Sequence, residues 1–211
     1  ITKSQLNQLI VEFVKKEFTP PDIKTNIDIE GLLSPENTKT LNMLMIEGDV
    51  TIKIGDKFPQ GTVAFYESQT LKTIGTDEMF KNKRVILFGM PGAFTPTCSQ
   101  YHIPSIINQI ENYKIKGIDD IFCLVVNDVY VTNIWSKQTG ASQAGLQIVS
   151  DPCGNLVKKI GMSFNAPQIG FLDRSIRFCL ILNDGTVERV FKETKGGTCD
   201  ITSGENILAQ I

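Results

Sequence analysis

Cys98 occupies the most unusual stretch of this sequence. From Val85 to Ile110 the chain runs 26 residues without an Asp, Glu, Lys or Arg. The stretch passes from VILFG through PGAFTPTC into a helical run. Thr95 is of N-cap type, Pro96 suits the first helical position, and Cys98 then falls in the first turn. Unpaired backbone N–H groups and the positive end of the helix dipole favour a thiolate there. The chemistry this setting suits is nucleophilic attack by sulfur.

A helix terminus does not activate a thiol alone. Moving a thiol pKa from about 8.5 to about 6 takes roughly 3.4 kcal/mol. A helix end supplies about 0.3–1 kcal/mol, and at best about 2. A cation close to the sulfur supplies up to about 4 kcal/mol before its desolvation cost. The uncharged segment holds no such cation, so a reactive Cys98 requires an Arg or Lys from elsewhere in the fold.

The other candidates are weaker. Free cysteines are usually small buried hydrophobes, which is the reading for Cys123 in IFCLVV and Cys179 in RFCLIL. The sole histidine, His102, lies four residues after Cys98 on the same helical face, where packing or a polar contact competes with a direct chemical role. Five cysteines without a Cys-x-x-Cys pair do not form a secreted disulfide scaffold, a dithiol motif or the usual zinc sites. A reducing or organellar compartment is expected.

The elements that must position these residues alternate between strand and helix. Short β-branched and aromatic runs occur at 62–66, 85–89, 121–126, 146–150, 177–182 and 186–191. Helical stretches lie between them at 95–116, 129–138 and 154–162, with a last one at 203–211. Pro104 removes an amide from the first of these and predicts a kink. Asn183-Asp184-Gly185 marks an antiparallel hairpin, and the earlier alternation implies parallel pairing. The expected fold is a three-layer α/β domain with a mixed central sheet over residues 49–211. Residues 1–48 read as a helical extension of unknown role, with candidate helices after Ser4 and Ser34.

Composition sets outer limits. With 211 residues, 41% hydrophobic and 21% charged, the chain can bury a substantial core. A net charge of −2 offers no electrostatic reason to expect nucleic acid or an anionic membrane as partner. No run of apolar residues is long enough to cross a membrane. Because the first residue is Ile1 rather than Met, removal of an upstream targeting segment is an expectation. Arg84, Arg174, Arg177 and Arg189 all lie well inside the chain, so its start does not read as an Arg-rich transit peptide.

The run Pro91-Gly92-Ala93-Phe94-Thr95-Pro96-Thr97-Cys98 resembles the peroxiredoxin signature Pro-x-x-x-Thr-x-x-Cys. The wider run PGAFTPTCSQYHIP is similar to that of the type-five or type-II (atypical two-cysteine) subfamily. The likeness continues through CLVVND, Trp135, SDPCGN, Arg177-Phe178 and GGTCDITSGENILAQI, from about residue 49 to 211. It implies a thioredoxin-like fold and a thiol peroxidase acting on hydrogen peroxide and alkyl hydroperoxides, without metal, haem or flavin.

By that resemblance Cys98 is the peroxidatic cysteine, which becomes a sulfenic acid. Thr95 places its hydroxyl on the peroxide and Pro91 shields the sulfur. Arg177 is the distant cation, and the N–H groups of Thr97 and Cys98 stabilise developing charge. Arg174 does not match and reads as a surface residue. Two subfamily patterns compete for the thiol that resolves the sulfenic acid. Cys199, in a glycine-rich loop that moves at low cost, is the first candidate, and Cys123, 25 residues after Cys98, the second. Glutathione acting directly is the third route. Thioredoxin or glutaredoxin with glutathione is the implied reductant and a homodimer the implied assembly. Two other classes stay open: a peroxide-sensing redox relay, and a binding scaffold built on the same fold.

Overall fold

The β-branched runs assemble into a sheet whose two faces are both covered, as their near-continuous apolar character requires. In the computed structural model the described residues are 51–211, and the expected helices of residues 1–48 lie outside them. Nine strands occur among the described residues: β1 (Thr62–Glu67), β2 (Thr70–Gly75), β3 (Arg84–Gly89), β4 (Asp120–Val125), β5 (Gln147–Ser150), β6 (Ser163–Ala166), β7 (Phe171–Ser175), β8 (Phe178–Asn183) and β9 (Thr186–Lys192). Seven form one sheet in the order β2-β1-β5-β4-β3-β8-β9, and β6 pairs with β7 in a separate ribbon.

The mixed pairing follows the expected pattern. β3, β4 and β5 run parallel, whereas β8 is antiparallel to β3 and to β9. The β8–β9 turn has left-handed φ at both Asp184 and Gly185, as the Asn-Asp-Gly signal predicts. Alternate residues separate two cores. Val85, Leu87, Leu124 and Leu180 face Met79 and Phe80 of α1 (Thr76–Phe80) and Leu156 and Val157 of α6 (Asn155–Lys159). Ile86, Phe88, Cys123, Cys179 and Ile181 face the opposite layer.

That second layer carries Cys98. It holds α2 (Ile103–Ile107), α3 (Ile110–Ile115), α4 (Val129–Thr139), α5 (Ala141–Ala144) and α7 (Gly204–Ala209). The single helix expected over 95–116 is instead broken into pieces. A π-helical turn, Cys98–His102, precedes α2, and the Ile103 N–H donates to the Cys98 carbonyl five residues back. Pro104 sits at the start of α2, where its missing N–H disturbs least. Asn108 and Gln109 then interrupt the path to α3.

Several contacts tie the pieces of this layer to one another. The indole Nε1 of buried Trp135 on α4 donates to Ser99 Oγ at 3.0 Å. The Tyr113 hydroxyl donates to the Gly204 carbonyl at 2.7 Å. Gly204 itself touches α2 so closely that a Cβ would lie 2.1 Å from the Ser105 carbonyl oxygen. No helix among the described residues is long and apolar enough to cross a membrane.

Candidate active site

Strand register brings the distant cation to the sulfur. Gly89, the last residue of β3, pairs with Phe178, the first of β8. The pairing is close because Gly89 has no side chain, and a Cβ there would lie 2.0 Å from the Phe178 ring. Arg177 therefore stands where the chain leaves β3 for the Pro91–Cys98 loop. Its side chain is nearly buried, at 5% exposure, and Cys98 is completely buried. Arg177 Nη2 donates to Cys98 Sγ at 3.4 Å, so the guanidinium reaches the sulfur directly.

His102 and the C-terminal segment hold the guanidinium in place. Arg177 Nε donates to the Thr198 carbonyl at 2.8 Å, and Nη1 to His102 Nδ1 at 2.8 Å. A guanidinium only donates, so Nδ1 is the unprotonated nitrogen and the His102 proton sits on Nε2. That nitrogen donates to the Thr202 carbonyl at 2.8 Å. Burial, reinforced by the Arg177 charge and opposed by the Thr202 bond, lowers the His102 pKa to about 3. The polar-contact reading of His102 is thus the correct one: it is a neutral acceptor that orients Arg177.

The loop before Cys98 is built from the opposite side. Pro96 and Thr97 begin the helix as expected, but the expected cap is not made: the Thr95 hydroxyl donates to the Gly92 carbonyl at 2.9 Å and its oxygen receives no N–H from the helix. Asn127 Oδ1 accepts from the Ala93 N–H at 2.9 Å and from Arg174 Nη1 at 3.0 Å. Arg174 also donates to the Pro91 carbonyl at 3.3 Å and lies over the Phe171 ring. The surface reading of Arg174 is therefore corrected. It is half-buried, its pKa is lowered by burial, and it fastens the Pro91–Ala93 backbone. Gly92 has a φ of +149°, which side-chain-bearing residues rarely adopt, and a Cβ there would also meet Arg174 Nη1 at 2.3 Å. Sequence reasoning missed Arg174 because β7 lacks the apolar alternation that marks a half-buried strand, and Asn127 because its partner Ala93 is 34 residues away.

Pro91, Thr95, Thr97 and Arg177 border one cleft of about 560 Å³, whose far wall includes Phe164, Ile169, Phe171 and Ile176. The remaining cysteines occupy distinct settings. Cys123 and Cys179 are buried on β4 and β8, on either side of Phe88, and burial pushes both thiols well up. Cys153 is exposed. Cys199 is half-buried, and burial, partly offset by Arg177, pushes its thiol up to about 11. The described residues contain no cluster of three or more His, Cys, Asp or Glu side chains placed to hold a metal ion.

Two outcomes follow from this geometry. A hydrogen bond to a charged partner contributes about 1.5–3 kcal/mol, so Arg177→Gln should slow alkylation of Cys98 at neutral pH about 10- to 100-fold. Iodoacetamide labelling with peptide mass spectrometry measures it, and an unchanged rate removes Arg177 from thiol activation. His102 is held neutral in the fold but titrates near its ordinary 6.5 when unfolded. Its contribution to stability is therefore present above pH 6.5 and lost as pH falls toward 3. Guanidinium midpoints should show about 2 kcal/mol lost between pH 6.5 and 5 that the His102→Gln protein does not lose.

Comparison with known proteins bears on the family of this domain. The Redoxin family model matches residues 53–208. Peroxiredoxin-2D of Arabidopsis thaliana is 39% identical over 158 residues, covering 74% of this chain and 96% of that protein. A peroxiredoxin of Rhizobium etli is 40% identical over 139 residues, covering 63% of this chain and 76% of that protein. Among solved structures, reduced Prx3 from Vibrio vulnificus in complex with hydrogen peroxide superposes with a TM-score of 0.71 at 29% identity, over 76% of this chain and 99% of that one. The three-layer domain is thus thioredoxin-like, and the chain belongs to the peroxiredoxin family of thiol-dependent peroxidases.

Proposed function

We propose that Cys98 is the peroxidatic thiol, with Arg177, Thr95 and Pro91 as its catalytic partners. The observation that carries this assignment is the 3.4 Å contact between Cys98 Sγ and an arginine 79 residues away. The thiolate attacks the nearer peroxide oxygen and the O–O bond breaks. Sulfur keeps an OH as sulfenic acid, and the departing RO⁻ takes up from solvent the proton that the thiol released on ionising, leaving as water or alcohol. Arg177 stabilises the negative charge as it passes from sulfur to oxygen. The Thr95 hydroxyl donates its hydrogen bond to the Gly92 carbonyl, which leaves its oxygen to accept the O–H of a hydroperoxide.

Cys199 resolves the sulfenic acid in this reading. It is less buried than Cys123, and its segment already touches the helix turn of Cys98, since Thr97 Oγ1 donates to the Gly197 carbonyl at 3.0 Å. A thioredoxin-like protein, or glutaredoxin with glutathione, then returns the disulfide to thiols. Assembly is a homodimer, supported by exposed Phe94, Ile169 and Leu172 near the cleft mouth. Residues 49–211 form the peroxidase domain.

Two measurements test these assignments. After one equivalent of peroxide, peptide mapping should find Cys98 linked to Cys199. A Cys98–Cys123 link, or a Cys98 adduct with glutathione, would reassign the resolver. A chain starting at Asp49 should keep steady-state peroxidase turnover with thioredoxin. Loss of turnover in a folded, monodisperse shortened protein would place part of the site in residues 1–48.

A further inference from the structure

The peptide unit between Gly92 and Ala93 is held from both sides. A trans peptide is planar, so its carbonyl and its N–H point in opposite directions. The Ala93 N–H donates to Asn127 Oδ1 at 2.9 Å, and the Gly92 carbonyl on the other side accepts from the Thr95 hydroxyl at 2.9 Å. The neighbouring chain gives this unit little stiffness of its own. Gly92, at a φ of +149°, has no side chain to resist rotation, and Phe94 follows at a left-handed φ of +62°. The direction of the Gly92 carbonyl therefore depends on what holds the N–H behind it.

Asn127 is itself firmly placed. It stands between the end of β4 and Asp128, whose carboxylate caps α4 by accepting from the Tyr130 and Val131 N–H groups at 3.0 Å. The Asn127 carbonyl accepts from the hydroxyl of buried Ser150 on β5. Arg174 Nη1 donates to Asn127 Oδ1 at 3.0 Å. A guanidinium offers donors only, so the amide oxygen, not the amide nitrogen, faces both Arg174 and Ala93. Arg177 and His102 are oriented by other groups, the carbonyls of Thr198 and Thr202. Thiol activation and the shape of the loop thus rest on separate hydrogen bonds.

We propose that Asn127, oriented by Arg174, is a positioning residue for the Thr95 hydroxyl and fixes it as an acceptor toward the hydroperoxide. The proposal rests on the reading that Thr95 receives the substrate O–H. With the Gly92 carbonyl turned to Thr95, the hydroxyl proton is engaged there and the oxygen lone pairs are left for substrate. Were the peptide reversed, the Ala93 N–H would take the place of the carbonyl and donate to the Thr95 oxygen. The hydroxyl proton would then meet the substrate O–H, donor against donor, and the bond that holds the hydroperoxide would be lost. A hydroxyl serves either polarity equally well, so the amide behind it makes the choice.

The test is a double-mutant cycle between Asn127→Leu and Thr95→Val, read on reduced protein. Leucine keeps the bulk of asparagine and removes the acceptor. Single-turnover oxidation of Cys98 by hydrogen peroxide is quantified by mass spectrometry, and iodoacetamide alkylation without peroxide reads the thiol alone. Asn127→Leu should slow oxidation about tenfold, the scale of one hydrogen bond, and leave alkylation within about twofold. In the Thr95→Val protein, which should itself oxidise slowly, the same substitution should change the rate by less than about twofold. Asn127→Asp keeps an oxygen for both donors and should retain most of the rate. Arg174→Met frees the Asn127 amide to turn over; it should slow oxidation by a smaller factor, again silent beside Thr95→Val, and it serves if Asn127→Leu folds poorly. Oxidation unchanged in both Asn127→Leu and Arg174→Met overturns the proposal. So does a loss that persists in full beside Thr95→Val, or one matched by an equal loss of alkylation, since neither passes through the hydroxyl. An unchanged rate in Thr95→Val alone overturns the reading of Thr95, and the proposal falls with it.

Discussion

A buried guanidinium with neutral neighbours is the constraint on which this structure depends. Arg177 is 5% exposed and makes no ion pair with a carboxylate among the described residues. Its hydrogen-bond acceptors are the Thr198 carbonyl, the His102 imidazole and the Cys98 sulfur. Burying a cation is costly unless it is paired, and of these three acceptors only the sulfur can carry a negative charge. A carboxylate at the position of His102 would neutralise the arginine and leave the thiol less reason to ionise. Neutral His102 orients the cation without spending its charge.

The rest of the architecture reads as support for that arrangement. β3 and β8 bring the arginine and the cysteine loop to one sheet end. Asn127 and Arg174 fasten the Pro91 side of the cleft, and the Thr198 and Thr202 carbonyls steady the other. The two supports differ in kind. The first holds backbone, whereas the second holds the side chains of Arg177 and His102.

Much of this was legible in the sequence, for identifiable reasons. Strands buried on both faces announce themselves as apolar runs, and β3, β4 and β8 were readable to within a residue or two. The need for a distant cation followed from the size of a helix-end effect, and Arg177 answered it through a family pattern. β2 was missed because all its residues are exposed or half-exposed, so no alternation marks it. The π-helical turn was missed because Pro104 announces a disturbance without saying which hydrogen bonds absorb it. His102 and Asn127 take their meaning from partners in folded space. The histidine is matched with a carbonyl 100 residues away, and the asparagine with an N–H 34 residues back in the chain.

The glycine at the end of β3 has a consequence for mutational tolerance. Gly89 has no role in the chemistry, but its missing side chain lets the Phe178 ring lie against the strand. Any larger residue would displace that ring, and Phe178 is the immediate chain neighbour of Arg177. Position 89 is therefore far more closed to substitution than the exposed residues 70–73 of β2. The freedom of each position to vary is set by how directly its atoms lean on the arginine, so a map of tolerated substitutions would trace the sulfur's supports even where no chemistry occurs.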